Sequence, residues 1–411
     1  MKFLFRFLLF LIAALILFIN IRLYSGPDLS DNAAVKEDAI AQLNYLEYKI
    51  KNEQLGEEMQ REFPEGFLFT NLLYGLSWCE LALANPEDTT LCSKALREAR
   101  FAYAHVNSET GKSIFYEELN PPYGIFYCGW KNYLLGKIAA CSKEKNQEEI
   151  REFSFNCDEI AGALKSTTPF PDSYPNASWP SDACAALASL KLYDDNIQAK
   201  YDSAISGWIK NVKSNLNPDT KMLSHYTESG TGKTIEGARG CSMSLMLRFL
   251  ADIDPQFALE QFKLYNEKFS CTRFGLPAIR EYPEGKSGSG DIDSGPVIFG
   301  VGFSASIVAI GTYKKYGETK TADMLSRNIE ALGFSIQSNE KKKYIFGMLP
   351  IADAFIVWSR TANAKKEIIN LKGENKFDFG SQARFHFYSG MIILVICLLL
   401  YRKKMKSLFR K

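Results

Sequence analysis

Two apolar runs, one near each end of the chain and each bordered by basic residues, constrain this sequence more than anything between them. Phe7 to Ile19 is unbroken, and it is extended by Phe3–Phe5 and by Ile21–Leu23 around Asn20 and Arg22. A signal peptide shares the charged start and the apolar stretch, but it closes on small residues at a cleavage site. The segment NIRLYSGPD that follows here has no such site, so the run reads as an uncleaved anchor. Phe385 to Tyr401 gives 17 apolar-rich residues, and Arg402, Lys403, Lys404 and Lys406 follow at once. That is the lower limit of a spanning helix. The positive-inside rule then predicts both termini in the cytoplasm and residues of about 25–380 on the other side. The expected division is an anchor at 1–24, a body at 25–370, a linker at 371–384, a transmembrane helix at 385–401 and a basic tail at 402–411.

Composition adds a second constraint. Residues 1–20 and 402–411 hold eight Lys or Arg and no acid; removing those eight from 49 leaves 41 basic against 47 acidic side chains, a net of −6. A mildly acidic body has no electrostatic footprint for nucleic acid. With 46% apolar residues it has material for a large core. Eight cysteines lie in the body, an even number that permits disulfides in an exported domain, but their spacing specifies no connectivity.

Apolar spacing and breakers predict twelve helices, near 31–52, 66–84, 90–105, 122–142, 147–165, 179–194, 197–213, 234–251, 254–268, 295–316, 318–333 and 345–361. The gaps alternate. Short joints (ANPED, SKEKNQ, YDDN, DIDP, KYGE) follow the even helices, and long polar or Gly/Pro-rich segments follow the odd ones, at 53–65, 106–121, 166–178, 214–233, 269–294 and 334–344. Long loops in compact domains usually carry function. One after every odd helix sets all six at the same end of a ring of helical hairpins, the pattern of an all-α (α/α)6 barrel with a site in its mouth.

The familiar motifs fail. ESGTGKT has Thr227 where a phosphate-binding loop needs glycine, and the GKS at Gly285–Ser287 has Arg280 there. Three histidines (His105, His225, His386) and no C-x-x-C give no zinc spacing. Asp291 and Asp293 open like a calcium loop, but Gly295 and Gly302 occupy later ligand positions. No metal and no cofactor is expected. What remains is a concentration of carboxylates and aromatics in the long loops. The second holds Glu117, Glu118 and Tyr123, and the third holds Asp172, Tyr174, Trp179 and Asp182. The fourth holds His225, Tyr226 and Glu228, and the fifth Arg280, Glu281, Tyr282, Glu284, Asp291 and Asp293. Trp130 lies in the first turns of a helix that starts at the mouth. Asp293 precedes Ser294-Gly295-Pro296 and is expected to cap the helix that follows.

In order, LNYLEYKI, PPYGIFYCGWKNYLLGKI, PDSYPNASWPSDACAALASLKLYD, SHYTESGTGK, DIDPQFALEQFKLYNEKF and GDIDSGPVIFGVGFSASIVAIG resemble the linalool dehydratase-isomerase family, over residues 40–320. The resemblance implies an exported (α/α)6 barrel that acts on a small alcohol by acid/base loss and addition of water. That family's characterised enzyme uses an Asp in the first helix, a His in a YxGH-like segment and two Cys around the third long loop. Here those places hold Glu47, Trp130, Phe170 and Asp182. The fold is expected to carry over and the thiol-and-imidazole chemistry is not.

The leading expectation is a membrane-anchored, extracytoplasmic enzyme whose carboxylates act as general acid and base on a glycan or polyol-like small molecule. Asp182 is expected as the acid and Asp293 as the base, with Glu228 and Glu281 in reserve. Trp130, Trp179, Tyr174 and Tyr226 would form the platform, with Tyr123, Asp172, His225, Tyr282 and Asp291 also binding substrate. A dehydratase or isomerase of a small alcohol is the second expectation. A non-catalytic envelope scaffold is the third.

Overall fold

The computed structural model describes residues 2–165, 168–292, 294–372 and 380–408. The chain is 65% helix, about twice the share of an ordinary domain. In order the helices are α1 (Lys2–Arg22), α2 (Asn32–Glu53), α3 (Leu55–Glu62), α4 (Gly66–Ala84), α5 (Thr89–Val106), α6 (Glu109–Lys112), α7 (Gly124–Cys141), α8 (Gln147–Ala163) and α9 (Pro180–Asn196). They continue with α10 (Asp202–Ser214), α11 (Gly240–Ile253), α12 (Pro255–Phe269), α13 (Phe303–Lys315), α14 (Thr319–Leu332), α15 (Pro350–Arg360), α16 (Lys366–Lys372) and α17 (Gly380–Leu408). Each of the twelve expected helices has a counterpart.

Two starts were placed too early. Residues 234–236 form a strand ahead of α11, and 297–302 form a hairpin ahead of α13. Gly302 is therefore the N-cap of α13, and the capping role expected at position 293 is not the one this helix uses. The short strands all sit in long loops: β1 (Ala177–Ser178), β2 (Tyr226–Glu228), β3 (Thr234–Glu236), β4 (Ser270–Arg273), β5 (Leu276–Ile279), β6 (Val297–Ile298), β7 (Val301–Gly302), β8 (Ile336–Ser338) and β9 (Lys341–Lys343). They pair antiparallel, with β1–β2–β3 tying the third loop to the fourth.

Two kinds of helix build the body. In α4 every residue from Gly66 to Ala82 except Phe69 is buried, and α7 and α9 are nearly as enclosed. A helix apolar all round has to be surrounded by others. In α5 the buried residues are Leu91, Ala95, Glu98, Ala99, Ala102 and Val106, a single stripe at three- and four-residue spacing. The enclosed helices pack in succession, α4 on α7, α7 on α9, α9 on α11, α11 on α13, α13 on α15 and α15 back on α4. The striped ones lie against them, α5 on α4, α8 on α7, α10 on α9, α12 on α11, α14 on α13 and α2 on α15. Short joints supply the caps that start the outer helices: Asp88 accepts from the Leu91 amide (3.0 Å) and Asp254 from the Phe257 amide (2.9 Å).

Aromatic rings from four of the enclosed helices meet in the interior. Trp130 lies 5.4 Å from Phe69, 5.1 Å from Phe249 and 5.8 Å from Trp358 between ring centroids. The ends of these helices opposite the long loops are bound by cations. Lys137 pairs with Glu80 (2.9 Å), Lys315 with Asp252 (2.5 Å), and Arg248 donates to the Trp358 carbonyl (2.9 Å) while its guanidinium lies 3.4 Å from that ring's centroid. Cations there complement the negative helix ends.

Among the described residues, three helices are long and apolar enough to cross a membrane: Phe3–Arg22, Gly66–Ala84 and Ala383–Tyr401. The middle one is α4, 83% buried in the body, so packing accounts for its composition. The other two expose their apolar side chains and pack on each other. His386 of α17 lies 2.6 Å from the Asn20 side-chain oxygen of α1, which makes Nδ1 the donor, and Tyr24 then donates to His386 Nε2 (2.7 Å). Such interhelical bonds hold apolar helices together. Arg22, at the end of α1, donates to the Ser335 carbonyl (2.9 Å) and pairs with Glu330 (3.4 Å).

Glu330 is the centre of a buried network. It accepts from Lys342 (2.6 Å) and Tyr344 (2.6 Å) and pairs with Arg360 (2.9 Å); Asp38 of α2 bridges Lys342 (2.5 Å) and Arg360 (3.0 Å). Burial pushes its carboxyl up, but Arg360 and Lys342 outweigh burial and hold it at about 2. Removing one partner of a buried ion pair leaves an uncompensated charge, at a cost of about 3–5 kcal/mol. Glu330→Gln is therefore expected to lower the unfolding free energy by that order in chemical denaturation of the detergent-solubilised chain. Glu228→Gln, at an exposed position, is expected to change it by less than about 0.5 kcal/mol.

Candidate functional site

The enclosed helices α4, α7, α9, α11, α13 and α15 all begin where a long loop ends. A helix N-terminus is positive and favours anionic groups beside it. Arg239, the residue before α11, is extended and only 3% exposed. Its guanidinium gathers the fourth and fifth loops. Nε donates to Glu281 Oε1 (2.8 Å), Nη2 to Ser294 Oγ (2.6 Å) and Nη1 to Asp291 Oδ2, while Glu236 lies 3.6 Å away. The guanidinium also sits 5.4 Å from the Tyr282 ring centroid.

The two carboxyls on this guanidinium are driven apart. Glu281 is fully buried, and its second oxygen, Oε2, has no hydrogen-bond partner. Burial raises its pKa, against the bonds from Cys241 Sγ (2.9 Å) and Arg239, and the nearby Asp291 charge raises it further. Asp291 is partly exposed; burial pushes it up, but the Arg239 bond and the Ser294 amide (2.9 Å) win and hold it at about 2. Beside them, burial and the Arg239 charge push His225 down to about 4, and its Nδ1 is buried without a hydrogen-bond partner. Gly302 makes the close approach possible, because a Cβ there would stand 2.4 Å from Glu281 Oε2. The arrangement offers a carboxyl that keeps its proton to higher pH than usual, a carboxylate that is ionised at almost any pH, and a neutral imidazole.

Tyr226 pairs with Glu236 across β2–β3, and β1–β2 ties the third loop to it, so residues of both loops border this cluster. Asp182 is buried in the first turn of α9 and accepts from Ser173 Oγ (2.6 Å), which pins the third loop to that helix. Asp293, its expected partner, lies outside the described residues. Asp172 accepts from Ser178 (2.6 Å) and Ser229 (2.7 Å), joining the third loop to the fourth. Glu228 is exposed on the β2–β3 hairpin and accepts from Thr231 (2.7 Å). Trp130 is completely buried, so it packs the interior and has no face to offer a substrate, a correction to its expected place in the platform. Trp179 and Tyr226 stack at 4.8 Å, with Tyr174 edge-on to Trp179 at 5.9 Å, and all three keep partial exposure. Tyr174 also donates to Glu65, at the start of α4. Tyr123 caps α7 in a left-handed conformation and is half-buried. Glu117 and Glu118 are exposed, and Glu284 pairs with Arg280 (3.1 Å). Glu47 pairs with Lys51 (3.0 Å) and Lys94 (3.2 Å), and Phe170 is buried.

Sequence reasoning missed Arg239, Cys241, Glu236 and Ser294. The one available signal was Gly237-Ala238-Arg239-Gly240, a lone cation among small residues at the end of a long loop. No family model matches the chain, and no curated protein does.

The Asp291 shift has a testable sign. The folded value, about 2, is below the unfolded one of about 3.9, so its contribution to stability is present above pH of about 4 and is lost as pH falls towards 2. Melting temperature followed against pH should show the wild-type chain above Asp291→Asn near neutrality, with the gap closing in acid.

Proposed function

We propose that this chain is a membrane-anchored (α/α)6-barrel enzyme that uses Glu281 as proton donor and Asp291 as proton acceptor on a glycan or polyol-like substrate. The observation that carries the reading is one buried guanidinium holding two carboxyls with opposite protonation preferences. Enzymes that need an acid and a base at the same pH are built on such pairs. Glu281 is covered in the free protein; it protonates the leaving oxygen once substrate parts the loops over it, and Asp291 takes a proton from the attacking water or the adjacent carbon. Arg239 keeps both carboxyls in place and stabilises the anionic one. Trp179 and Tyr226 supply aromatic faces suited to the apolar side of a sugar ring.

The barrel reading is supported by the order in which the enclosed helices pack, with α15 returning to α4, and by the striped helices outside them. It agrees with the resemblance to the linalool dehydratase-isomerase family. The complete burial of Glu281 also favours a second reading, a dehydratase or isomerase of a small alcohol, since a dry acid suits loss of water from an apolar substrate. Product analysis separates the two: cleaved glycosidic bonds support the first, an alkene or a rearranged alcohol the second.

For topology, we place both termini in the cytoplasm and the body outside. The end of α1 and the start of α17 meet each other and the body, so their basic far ends share one side. A reporter fused after Lys411 should be cytoplasmic, and a tag at Ser287–Ser289, which is exposed, should be reachable from outside.

Activity is tested by assaying glycan, polyol and small-alcohol panels with three chains. Glu281→Gln and Asp291→Asn should each fold and lose roughly a hundredfold or more in kcat, the scale of general acid/base catalysis. The wild-type rate should rise as Asp291 ionises above about 2 and fall as Glu281 loses its proton, above the ordinary carboxylate range. A Glu281→Gln variant with full activity on a turned-over substrate sinks the mechanism.

A further inference from the structure

We infer that the rim formed by the fifth and sixth loops rests on the same bilayer that holds α1 and α17, with aromatic hairpin tips inserted at its surface. The tips are Phe274 between β4 and β5, Phe299 between β6 and β7, and Phe346 with Met348 ahead of α15. They are 62%, 69%, 57% and 70% exposed. Water-facing exposure of that size on so many large apolar side chains in one region marks an interaction surface. All three Phe have left-handed backbones (φ 53°, 53° and 57°), a conformation that bulky residues rarely adopt.

Continuity with the apolar helices identifies the partner. Phe346 stacks on Phe334 at 5.8 Å, and Phe334 stacks on Phe18, inside α1, at 5.5 Å. On the other side, Leu276, two residues beyond Phe274, packs against Leu23 and Phe385, where α1 ends and α17 begins. The two patches therefore flank the point at which both membrane-crossing candidates leave the body. Phe299 is bound to the first patch, because its carbonyl accepts from Arg273 (2.7 Å) and its ring meets Phe274 edge-on at 5.5 Å. Aromatic side chains accompanied by cations such as Arg273 and Lys343 are the pattern of a membrane–water interface.

The consequence reaches the candidate site. Gly300, next to Phe299, accepts from the Glu281 amide (3.1 Å), and Arg280 bridges to Val301. The loop that carries Glu281 is thus braced by the hairpin that meets the bilayer. This inference does not depend on any catalytic role for Glu281, so either can fail alone.

The test uses the full chain reconstituted in phosphatidylcholine and phosphatidylglycerol vesicles, with or without bromine on the acyl chains. Single variants Phe274→Trp, Phe299→Trp and Phe346→Trp report depth through quenching, and Phe155→Trp on α8, 64% exposed, is the control. Brominated lipid should remove most of the emission each rim variant adds and leave that of the control. Emission retained at Phe274→Trp and Phe299→Trp, or lost equally in the control, overturns the inference. Should a variant not fold, photoactivatable phosphatidylcholine on the unmodified chain gives the same answer. Lipid adducts on peptides spanning residues 272–300 support the inference. Adducts confined to α1 and α17, or crosslinks between two copies at the rim, reject it.

Discussion

A helix with no polar face has to be enclosed by other helices, and this chain has several. Once α4, α7 and α9 have to be surrounded, the striped helices must lie outside them and the connections must alternate in length. Each enclosed helix begins where a long loop ends. Lys137 and Lys315, in the last turns of α7 and α13, sit where cations complement the negative helix end, and pair there with Glu80 and Asp252. Small residues let the enclosed helices approach. A Cβ on Gly129 of α7 would stand 2.9 Å from the Ala186 backbone nitrogen of α9.

Electrostatics at the site turn on Arg239. A guanidinium buried beneath two loops needs anions, and it finds one that is buried and one that is half in water. Burial raises both carboxyls and the guanidinium lowers both. Their different exposure separates them, which is how two similar groups acquire different roles. Cys241 contributes a bond to Glu281 from the first turn of α11.

The helices were legible because periodicity, caps and breakers agree: ANPED and DIDP each carry the Asp that caps the next helix. The strand at 234–236 and the hairpin at 297–302 were not, since strands of two or three residues leave no periodic signal. At the site, Glu281, Asp291, His225 and Tyr282 were named from loop composition alone. Their convergence was hidden, because it depends on a single arginine whose burial no local pattern reveals. Trp130 was misread for a related reason: a tryptophan near a helix start looks alike whether it faces the mouth or the packed interior.

The central claim is that two carboxyls on one guanidinium are shifted in opposite directions, Glu281 upward by burial and Asp291 downward by the Arg239 bond. Infrared titration of the protonated-carboxyl band in wild-type and Glu281→Gln chains reads that directly and needs no substrate. The band lost in Glu281→Gln should titrate above the ordinary glutamate value of about 4.3. A midpoint at or below that value would contradict the account.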